Sequence, residues 1–448
     1  MCASHAGFDT PRCDTIVSLA SGQGRSGVAV LRVSGPAVHS VAMQVLGAIP
    51  KPREAVLRNI RGADAQVLDQ ALVLLFTGPA SFTGEDVLEL HVHGSRAVIK
   101  AVLQRLLDVG CRLAEAGEFT RRAFLNGKLS LIEVEALADL IDSDTEQQRR
   151  HAMRALGGGL SRRIDAFRDV LLEARARLVA AIDFSDEDDV PASILHDIRE
   201  AIATLAAEIT ALLRTAQNGE RLRSGCSIVL LGPPNAGKSS LLNALSRRDV
   251  AIVSDVPGTT RDRVSVLLEI DGYPVTLTDT AGLRASEDAI EQLGQERSRE
   301  AAREADVILW LSPYDAPTAV PAELDGRVVL VIRTKSDLAD TSAAFIDGEV
   351  SVSVKRDEGL DTLLAVLGIQ AAAALGLSED VLVTRERHRM RLQEALDGAN
   401  RLALISDDSP ELIAEELALI ERKLDVLVGR VDVEGLLDVV FSRFCIGK

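Results

Sequence analysis

The chain has 448 residues, of which 47% are hydrophobic and 26% charged, so wholesale disorder and a small disulfide-stapled scaffold are both excluded. With 50 basic and 67 acidic side chains, the net charge is −17, which argues against nucleic-acid binding through a basic surface of its own. The five cysteines lack the paired spacing of a metal site and are typical of reduced thiols, and no apolar run is long enough for a membrane span. We therefore expect a cytoplasmic, membrane-free protein of about three domains.

The first part of the chain alternates short runs rich in β-branched residues with one helical stretch. A helix is predicted over Ser95–Gly110, where apolar residues recur at helical spacing and a glycine closes the segment. Strands are predicted over Thr15–Ala20, Val28–Val33, Gln70–Phe76 and Val87–His93. We therefore predict an α+β domain over residues 1–127.

Amphipathic helices dominate two separate parts of the chain. They are predicted over Leu131–Leu156, Leu160–Ile182 and Ile194–Asn218, and again over Thr384–Leu404, Ser409–Val428 and Val433–Phe441. The simplest architecture is one all-α domain in two parts, residues 128–222 and 378–448, and the alternative is a separate helical domain at the carboxyl end. The acidic run from Asp183 to Asp189 is predicted to be a solvated loop between helices.

Residues 223–377, between the two helical parts, have the pattern of an inserted α/β domain. Strands separated by helical segments are predicted over Ser227–Leu231, Val264–Ile270, Pro274–Thr278, Val307–Leu311 and Val328–Ile332. The dipeptide Asp271-Gly272 separates two of these runs and favours a tight hairpin turn. One antiparallel strand pair is therefore expected in an otherwise parallel sheet.

A phosphate-binding loop is predicted at the start of this domain. The run Gly232-Pro-Pro-Asn-Ala-Gly-Lys-Ser239 follows the first predicted strand directly and precedes a helical segment. Its glycines let the backbone curl so that several N–H groups and a helix N-terminus face phosphate. We expect Lys238 to neutralise the β- and γ-phosphate oxygens and the Ser239 hydroxyl to bind Mg²⁺.

Two further motifs complete a predicted magnesium and γ-phosphate site. Gly258-Thr-Thr-Arg-Asp262 supplies a hydroxyl in a loop, and Asp279-Thr-Ala-Gly282 ends a strand with a carboxylate. Thr260 is expected to join the metal shell when γ-phosphate is present, Asp279 to hold a metal-bound water, and the Gly282 N–H to contact the γ-phosphate. The order of the motifs behind a phosphate loop predicts a Ras-like GTPase fold.

The base is predicted to be guanine. Asp337, in the run Thr334-Lys-Ser-Asp337 after a predicted strand, can accept from both guanine N1–H and the exocyclic N–H₂, a donor pair that adenine lacks. Thr334 replaces the usual Asn and keeps only a hydroxyl, so we expect reduced base affinity. Ser353-Val-Lys355 is predicted to support the base.

Water activation must differ from that of Ras-like proteins, because Leu283 occupies the position of their water-orienting Gln. Asn235, inside the phosphate loop, has a side-chain oxygen at a position where a monovalent cation would take the part of an arginine finger. We therefore predict stimulation by a monovalent cation.

Several motifs resemble those of the tRNA modification GTPase family MnmE/TrmE. They are Asp14-Thr-Ile-Val17, Gly27-Val-Ala-Val-Leu-Arg-Val-Ser-Gly35, Ser81-Phe-Thr-Gly-Glu-Asp-Val-Leu-Glu-Leu-His91, Gly117-Glu-Phe-Thr-Arg-Arg-Ala-Phe-Leu-Asn-Gly-Lys128 and the terminal Phe444-Cys-Ile-Gly-Lys448. The resemblance runs from about Asp14 to the last residue. It implies an N-terminal domain that binds a tetrahydrofolate derivative, in the 5,10-methylene or 5-formyl form, and that joins two copies into a homodimer.

The resemblance further implies a GTPase domain inserted into a helical domain, stimulated by K⁺. The resemblance also implies a heterotetramer with an FAD-dependent MnmG-type protein. This complex would add a carboxymethylaminomethyl or aminomethyl group to C5 of the wobble uridine, position 34, of certain tRNAs. The acidic net charge of −17 agrees with tRNA being contacted largely through the partner.

Site residues also follow from the resemblance. The implied folate-site residues are Arg32, Glu89, Lys128 and Lys448, and the implied K⁺ ligands are Asn235, Ser254, Val256 and Thr259. Glu291 is implied to orient the attacking water, as a catalytic residue beside Lys238 and Asp279. Cys445 is either a reactive thiol or a small apolar residue of the terminal segment.

The full expected GTP-binding set is Asn235, Ala236, Gly237, Lys238, Ser239, Ser240, Ser254, Thr259, Thr260, Asp279, Gly282, Thr334, Lys335, Asp337, Ser353 and Lys355. Two other functions stay open at this point. One is an RNA- or ribosome-associated switch GTPase without modification chemistry, which would not need the folate-type motifs. The other is a folate-dependent one-carbon enzyme that GTP only regulates.

Overall fold

A computed structural model gives the fold, and its chain divides into two compact units. The structure describes residues 14–22, 24–183, 192–248, 250–252, 264–279, 300–338, 345–346, 349–376 and 382–431, together with 437, 440, 441, 444 and 447. The first unit comprises residues 1–138 and 424–448, and the second comprises residues 139–423. This division is coarser than the four segments predicted from the sequence, whose bounds stay a prediction.

The first unit is built on a six-stranded sheet. Its strands are β1 (Ile16–Leu19), β2 (Ser26–Ser34), β3 (Val56–Arg61), β4 (Val67–Phe76), β5 (Val87–Gly94) and β6 (Arg112–Leu113). They lie in the order β3-β4-β5-β2-β1-β6, and every neighbouring pair is antiparallel except β1 and β6. In this register Arg32 of β2 lies directly opposite Glu89 of β5.

One face of this sheet is buried under helices, because alternate residues of each strand are apolar. Helices α1 (Val38–Leu46) and α2 (Arg96–Asp108) pack on this face, whereas α3 (Glu118–Leu125) and α4 (Leu131–Ile141) follow β6 along the chain, and the last residues of α4 belong to the second unit. Leu31 and Val33 of β2 and Leu88 and Leu90 of β5 are fully buried in this core. The sequence prediction found α2 and missed α1, α3, β3 and β6, all of which are short.

An ionic network centred on the buried Arg122 joins α3 to the residues just before β1 in the first unit. Arg122, only 6% exposed, donates to Asp14 at 2.7 Å, to Glu85 at 3.2 Å and to Glu118 at 3.0 Å. Arg112 donates to Asp14 and Glu118, both at 2.6 Å. Burial raises the pKa of Asp14, but the hydrogen bonds and charges of the two arginines outweigh it and lower the pKa below its usual value. The network therefore holds the strand, the helix and the loop before β5 together.

The second unit combines helices with a second sheet. Its helices are α5 (Glu146–Leu156), α6 (Gly159–Asp183), α7 (Ala192–Ser224), α8 (Lys238–Ser246), α9 (Leu360–Leu375), α10 (Glu386–Leu402) and α11 (Pro410–Val428), the last of which ends in the first unit. Its strands are β7 (Cys226–Leu231), β8 (Val264–Ile270), β9 (Tyr273–Asp279), β10 (Val307–Pro313), β11 (Val329–Thr334), β12 (Phe345–Ile346) and β13 (Glu349–Ser351). The fold class predicted from the sequence, with α+β, helical and inserted Ras-like α/β parts, is confirmed.

The predicted single helix over Leu131–Leu156 is wrong, because the chain breaks between α4 and α5. Thr145 lies in the extended region and caps α5: its hydroxyl accepts from the Gln148 N–H at 3.4 Å, and the Gln148 side chain accepts from the Thr145 N–H at 3.2 Å. This reciprocal pair is a capping box, which starts a new helix after Asp144.

The sheet of the second unit has the order β12-β13-β11-β10-β7-β9-β8. Strands β13, β11, β10, β7 and β9 are parallel, whereas β8 is antiparallel to β9 and β12 to β13. The predicted hairpin is confirmed: Ile270 pairs with Tyr273, and the turn residues Asp271 and Gly272 have φ angles of 52° and 81°.

Some predictions fall partly or wholly on residues that are not described. The acidic run beyond Asp183 lies outside the described residues, and so does most of the predicted helix Val433–Phe441. Among the described residues, Cys111 and Cys226 are free thiols, and burial raises their pKa to about 11 and about 12. A search of the described residues found no helix with the length and apolar character needed to cross a membrane.

We expect Arg122→Ala to destabilise the first unit by about 1.5–3 kcal/mol, because it removes a buried guanidinium that bonds three half-buried carboxylates, of which only Asp14 and Glu118 keep Arg112 as a partner. The measurement is hydrogen exchange of peptides from residues 14–125 in increasing urea. Arg121→Ala, which removes a half-buried arginine from the same turn of α3, is the matched control and should cost less than about 1 kcal/mol. Equal losses for the two variants would mean that the network does not stabilise the unit.

Candidate functional site

The predicted phosphate loop connects β7 to α8, and its backbone is tightly curved. Three of its residues have positive φ angles: Gly232 at 145°, Asn235 at 61° and Gly237 at 94°. A Cβ atom at Gly232 would lie 2.5 Å from the carbonyl oxygen of Leu311, so only glycine fits there. The curvature leads directly into the first turn of α8, and the N–H groups at the start of a helix attract anions.

Lys238 and Ser239 are the first two residues of α8, and both contact oxygen atoms. Lys238 is 9% exposed, and its Nζ donates to the carbonyl oxygens of Gly232 and Pro233, each at 2.8 Å. The Ser239 hydroxyl donates to Oδ2 of Asp279 at 2.6 Å. Asp279 ends β9 and is 1% exposed. This set of a hydroxyl and a buried carboxylate fits a hard cation such as Mg²⁺.

The predicted base loop is tied to the phosphate loop by Thr334. Its hydroxyl donates to the carbonyl oxygen of Ala236 at 2.7 Å, in a fully buried contact. The substitution of Thr for the usual Asn therefore keeps one link between the two loops. Asp337 accepts a hydrogen bond from the Ser353 hydroxyl at 3.0 Å, which fixes the carboxylate that is expected to bind guanine.

The structure brings many of the expected nucleotide residues to one edge of the sheet. These residues come from four places: the phosphate loop and the start of α8, the end of β9, the end of β11 with the loop after it, and the loop after β13. They are Ala236, Gly237, Lys238, Ser239, Asp279, Thr334, Lys335, Asp337 and Ser353. Asn235, Ser240 and Lys355 are exposed at or near these loops. Ser254, Val256, Thr259, Thr260, Gly282 and Glu291 lie outside the described residues, and their roles stay predictions.

One residue of this edge was missed by the sequence prediction. Asp315 follows β10 and pairs with Lys335, whose Nζ lies 2.7 Å from Oδ2 of Asp315. The hydrogen bond and charge of Lys335 lower the pKa of Asp315. A carboxylate just after a parallel strand was the available signal.

A second candidate site lies in the first unit, on the face of the sheet opposite to the one that packs against α1 and α2. Nε and Nη2 of Arg32 each lie 2.9 Å from Oε1 of Glu89. The guanidinium carbon lies 5.5 Å from the ring centre of Phe82 and 5.8 Å from that of Phe119. His91 contacts the other oxygen of Glu89 at 3.4 Å. A planar cation is therefore held between two rings and a carboxylate, which fits a planar ligand that carries N–H donors.

Lys128 lies near the same loop as Phe82. A Cβ atom at Gly84 would lie 3.3 Å from Cγ of Lys128, and the Asn126 amide donates to the Thr83 carbonyl at 2.7 Å. Of the four residues implied for folate, Arg32 and Lys128 thus lie beside one loop, and Glu89 is paired with Arg32. Lys448 and Cys445 lie outside the described residues.

The sequence prediction missed Phe82, Phe119 and His91. Phe82 is 38% exposed, whereas Phe119 is fully buried. All three residues occur in the motifs that carry the resemblance, but nothing local to them indicates that the two rings flank Arg32. That contact depends on strand register and on how α3 packs.

Comparisons with known proteins match nearly the whole chain. The profile of the MnmE helical domain matches residues 131–445, and that of the GTP-binding protein TrmE N-terminus matches residues 15–128. Proteins named tRNA modification GTPase MnmE from Methylobacterium sp., Bradyrhizobium sp. and Mesorhizobium japonicum are 49%, 45% and 48% identical, over 97%, 98% and 97% of this chain and 100%, 100% and 99% of their own. Among solved structures, the G domain of T. maritima FeoB is 23% identical over 33% of this chain and 98% of its own, with a TM-score of 0.25.

We expect Thr334→Val to weaken nucleotide binding about five- to tenfold, because the isosteric change removes a buried hydrogen bond worth about 1–1.5 kcal/mol. Calorimetric titration with GDP measures the affinity. Thr334→Ser keeps the hydroxyl and should bind nearly as well as the unchanged protein. If Thr334→Val binds GDP with unaltered affinity, the contact with Ala236 does not support the site.

Proposed function

The chain belongs to the MnmE family of tRNA modification GTPases, and we propose that its GTP hydrolysis drives addition of a carboxymethylaminomethyl or aminomethyl group to C5 of wobble uridine 34 in certain tRNAs. The one-carbon unit comes from a tetrahydrofolate derivative, in the 5,10-methylene or 5-formyl form. The observation that carries the proposal is that one polypeptide has two sites of different chemistry. One is a phosphate loop, and the other is the cluster of Arg32, Glu89 and two aromatic rings.

The contacts of the nucleotide edge support GTP as its ligand. Lys238 neutralises the β- and γ-phosphate oxygens, while the N–H groups at the start of α8 face them. Asp337, oriented by Ser353, accepts from the two N–H donors of guanine. Thr334 keeps the base loop beside the phosphate loop through Ala236.

Two cations belong to the proposal. Mg²⁺ would be held by Ser239 and Thr260, with Asp279 holding a metal-bound water, and the contact between Ser239 and Asp279 suits this arrangement. The proposed K⁺ ligands are Asn235, Ser254, Val256 and Thr259. Asn235 fits this role in that its side chain is exposed beside the phosphate loop. When bound, such cations neutralise negative charge on phosphate oxygens during transfer.

Attack by water needs a group that orients it, since Leu283 replaces the Gln of Ras-like proteins. We assign this task to Glu291, whose carboxylate can accept a hydrogen bond from water. Gly282 contributes its N–H to the γ-phosphate. GTP is not consumed in the chemistry on uridine; hydrolysis instead changes the conformation of the protein.

The folate site is proposed around Arg32, Glu89, Lys128 and Lys448. Glu89 suits the N–H donors of a pterin, and the lysines suit the carboxylates of a glutamate tail. The aromatic rings beside Arg32 suit a planar heterocycle.

The proposed assembly is a homodimer joined through the N-terminal domains and combined with an FAD-dependent MnmG-type protein into a heterotetramer. Two GTPase domains approach each other when GTP and K⁺ order the loop with Thr259 and Thr260, and hydrolysis separates them. The net charge of −17 supports tRNA being bound largely through the partner.

Deletion of the gene, followed by mass spectrometry of total tRNA nucleosides, tests the modification. We expect 5-aminomethyl-type wobble uridines to disappear and to return with the unchanged protein but not with Asp279→Ala. Asp325→Ala removes an exposed carboxylate of the same sheet domain and should restore modification fully. Nucleosides that stay unchanged on deletion would favour an RNA- or ribosome-associated switch GTPase.

Potassium dependence is a separate prediction. We expect GTP turnover to be at least about tenfold faster in KCl than in NaCl, since a cation takes the part of an arginine finger. Asn235→Ala should abolish this difference, whereas Asn243→Ala, on an exposed part of α8, should retain it. Equal turnover of the unchanged protein in the two salts would exclude the K⁺ site.

A further inference from the structure

Helix α5 begins against the turn of the β8–β9 hairpin. The N–H of Glu146 donates to Oε1 of Glu269, on β8, at 3.2 Å. The N–H of Gln147 donates to the carbonyl oxygen of Gly272, in the turn, at 3.1 Å. The third N–H, of Gln148, is satisfied by Thr145 within the helix's own cap. The hairpin therefore supplies acceptors for two of the first three amide groups of α5.

Such amide groups have no partner within their own helix, and they carry the positive end of the helix dipole. A carboxylate is the favoured acceptor there, and Glu269 is half-buried. The carboxylate of Glu146 is engaged elsewhere, because it accepts from Arg149 and Arg150 on its own helix. Those hydrogen bonds lower the pKa of Glu146 to about 2. Glu269 is thus the acidic side chain that bridges the sheet and α5.

The turn of the hairpin also lies within van der Waals distance of the first residues of α5. Gly272 has a φ of 81°, and a Cβ atom there would lie 3.7 Å from both Cγ of Gln147 and Cβ of Glu146. The backbone of the turn thus lies directly against the first turn of α5.

The far end of the same hairpin reaches the nucleotide edge. Asp279, the last residue of β9, accepts from Ser239, and it pairs in register with Val264, the first residue of β8. Seven residues per strand span about 20 Å at 3.3 Å per residue. One two-stranded element therefore joins the proposed metal ligands to α5.

A second set of contacts links the first turn of α5, and the end of α4 before it, to the segments that flank the inserted sheet. The Gln148 side chain donates to the carbonyl oxygen of Arg223, near the end of α7, at 3.4 Å. Asp139 pairs with Arg223 at 3.2 Å and with Arg385, just before α10, at 2.6 Å. The contact of Gln148 is thus a second link between the first turn of α5 and the chain that enters the inserted sheet, and Asp139 links the end of α4 to the same segments.

We propose that Glu269 is a positioning residue that couples GTP hydrolysis to tRNA modification by holding the β8–β9 hairpin on the first turn of α5. The inference rests on the proposed function, in which hydrolysis and modification occur at different sites. It goes beyond that function by naming the contact on which the coupling depends. Hydrolysis itself does not require the contact, because Glu269 lies at the opposite end of the hairpin from Asp279.

The experiment compares full-length variants in two readouts, kcat and KM for GTP in the purified protein and modified wobble uridine in the deletion strain. We expect Glu269→Ala to keep kcat and KM for GTP within about twofold. Modified wobble uridine should fall at least about threefold, which is the size of effect expected when a residue that couples two sites is removed. Glu269→Gln keeps an acceptor oxygen and should restore most of the modification. Glu146→Ala is the matched control, since it removes a carboxylate from the same contact region but keeps the backbone N–H, and it should behave as the unchanged protein.

Thr145→Ala tests the contact from its other side and covers the case in which Glu269→Ala does not fold. It weakens the cap of α5 without changing the sheet, and it should also lower modification with GTP turnover retained. Unaltered modification in Glu269→Ala and Thr145→Ala would overturn the proposal. So would a parallel loss of GTP turnover, or an equal loss in Glu146→Ala. These outcomes differ from the one expected if the proposed function itself is wrong. In that case the unchanged protein and Asp279→Ala would not differ in modification.

Discussion

The buried carboxylate of Asp279 constrains the rest of the GTPase sheet. A carboxylate that is 1% exposed must have polar partners, and Ser239 supplies a hydrogen bond of 2.6 Å. The two side chains meet only if β9 ends beside the first turn of α8. That condition requires β9 to lie next to β7 in parallel register, with Leu230 opposite Asp279. Strand β8 is then left at the edge, antiparallel to β9, and the tight turn at Asp271 and Gly272 follows.

The same strand arrangement explains how a nucleotide site can be connected to a helical region without a long loop. The C-terminal edge of the parallel strands collects the phosphate loop, Asp279 and the base loop, as expected for an open α/β sheet. Because β8 and β9 form a hairpin, their turn lies at the start of β9, at the opposite end of the strand from Asp279. There the turn meets α5, whose first N–H groups need acceptors. Unsatisfied helix amides and an edge hairpin thus supply complementary hydrogen-bonding groups.

The sequence predicted those features that short stretches determine. The phosphate loop and the Asp271-Gly272 turn need particular backbone angles, and glycine at those positions reveals them. The break before α5 was not predicted, although the sequence carries its signal: residues 142–151 include no apolar side chain, and Thr145 followed three residues later by Gln148 is the pattern of a capping box. The contact of Arg32 with Phe119 was equally hidden, since it depends on how α3 packs on the sheet. Resemblance pointed to Arg32 and Glu89, while their pairing follows from the register of β2 and β5.

Each candidate site contains a cationic side chain, Lys238 in the second unit and Arg32 in the first, and the partners of these two side chains favour different ligands. Lys238 donates to the neutral carbonyl oxygens of Gly232 and Pro233, and a phosphate group would offer it a charged acceptor in their place. Arg32 is paired with the Glu89 carboxylate, and a purely anionic ligand would have to displace that charge. A ligand with N–H donors can instead bind Glu89 while its ring lies against Arg32 and Phe82. The first-unit site therefore favours a planar, donor-bearing heterocycle over a phosphate group, which agrees with a pterin and separates its ligand class from that of the nucleotide site.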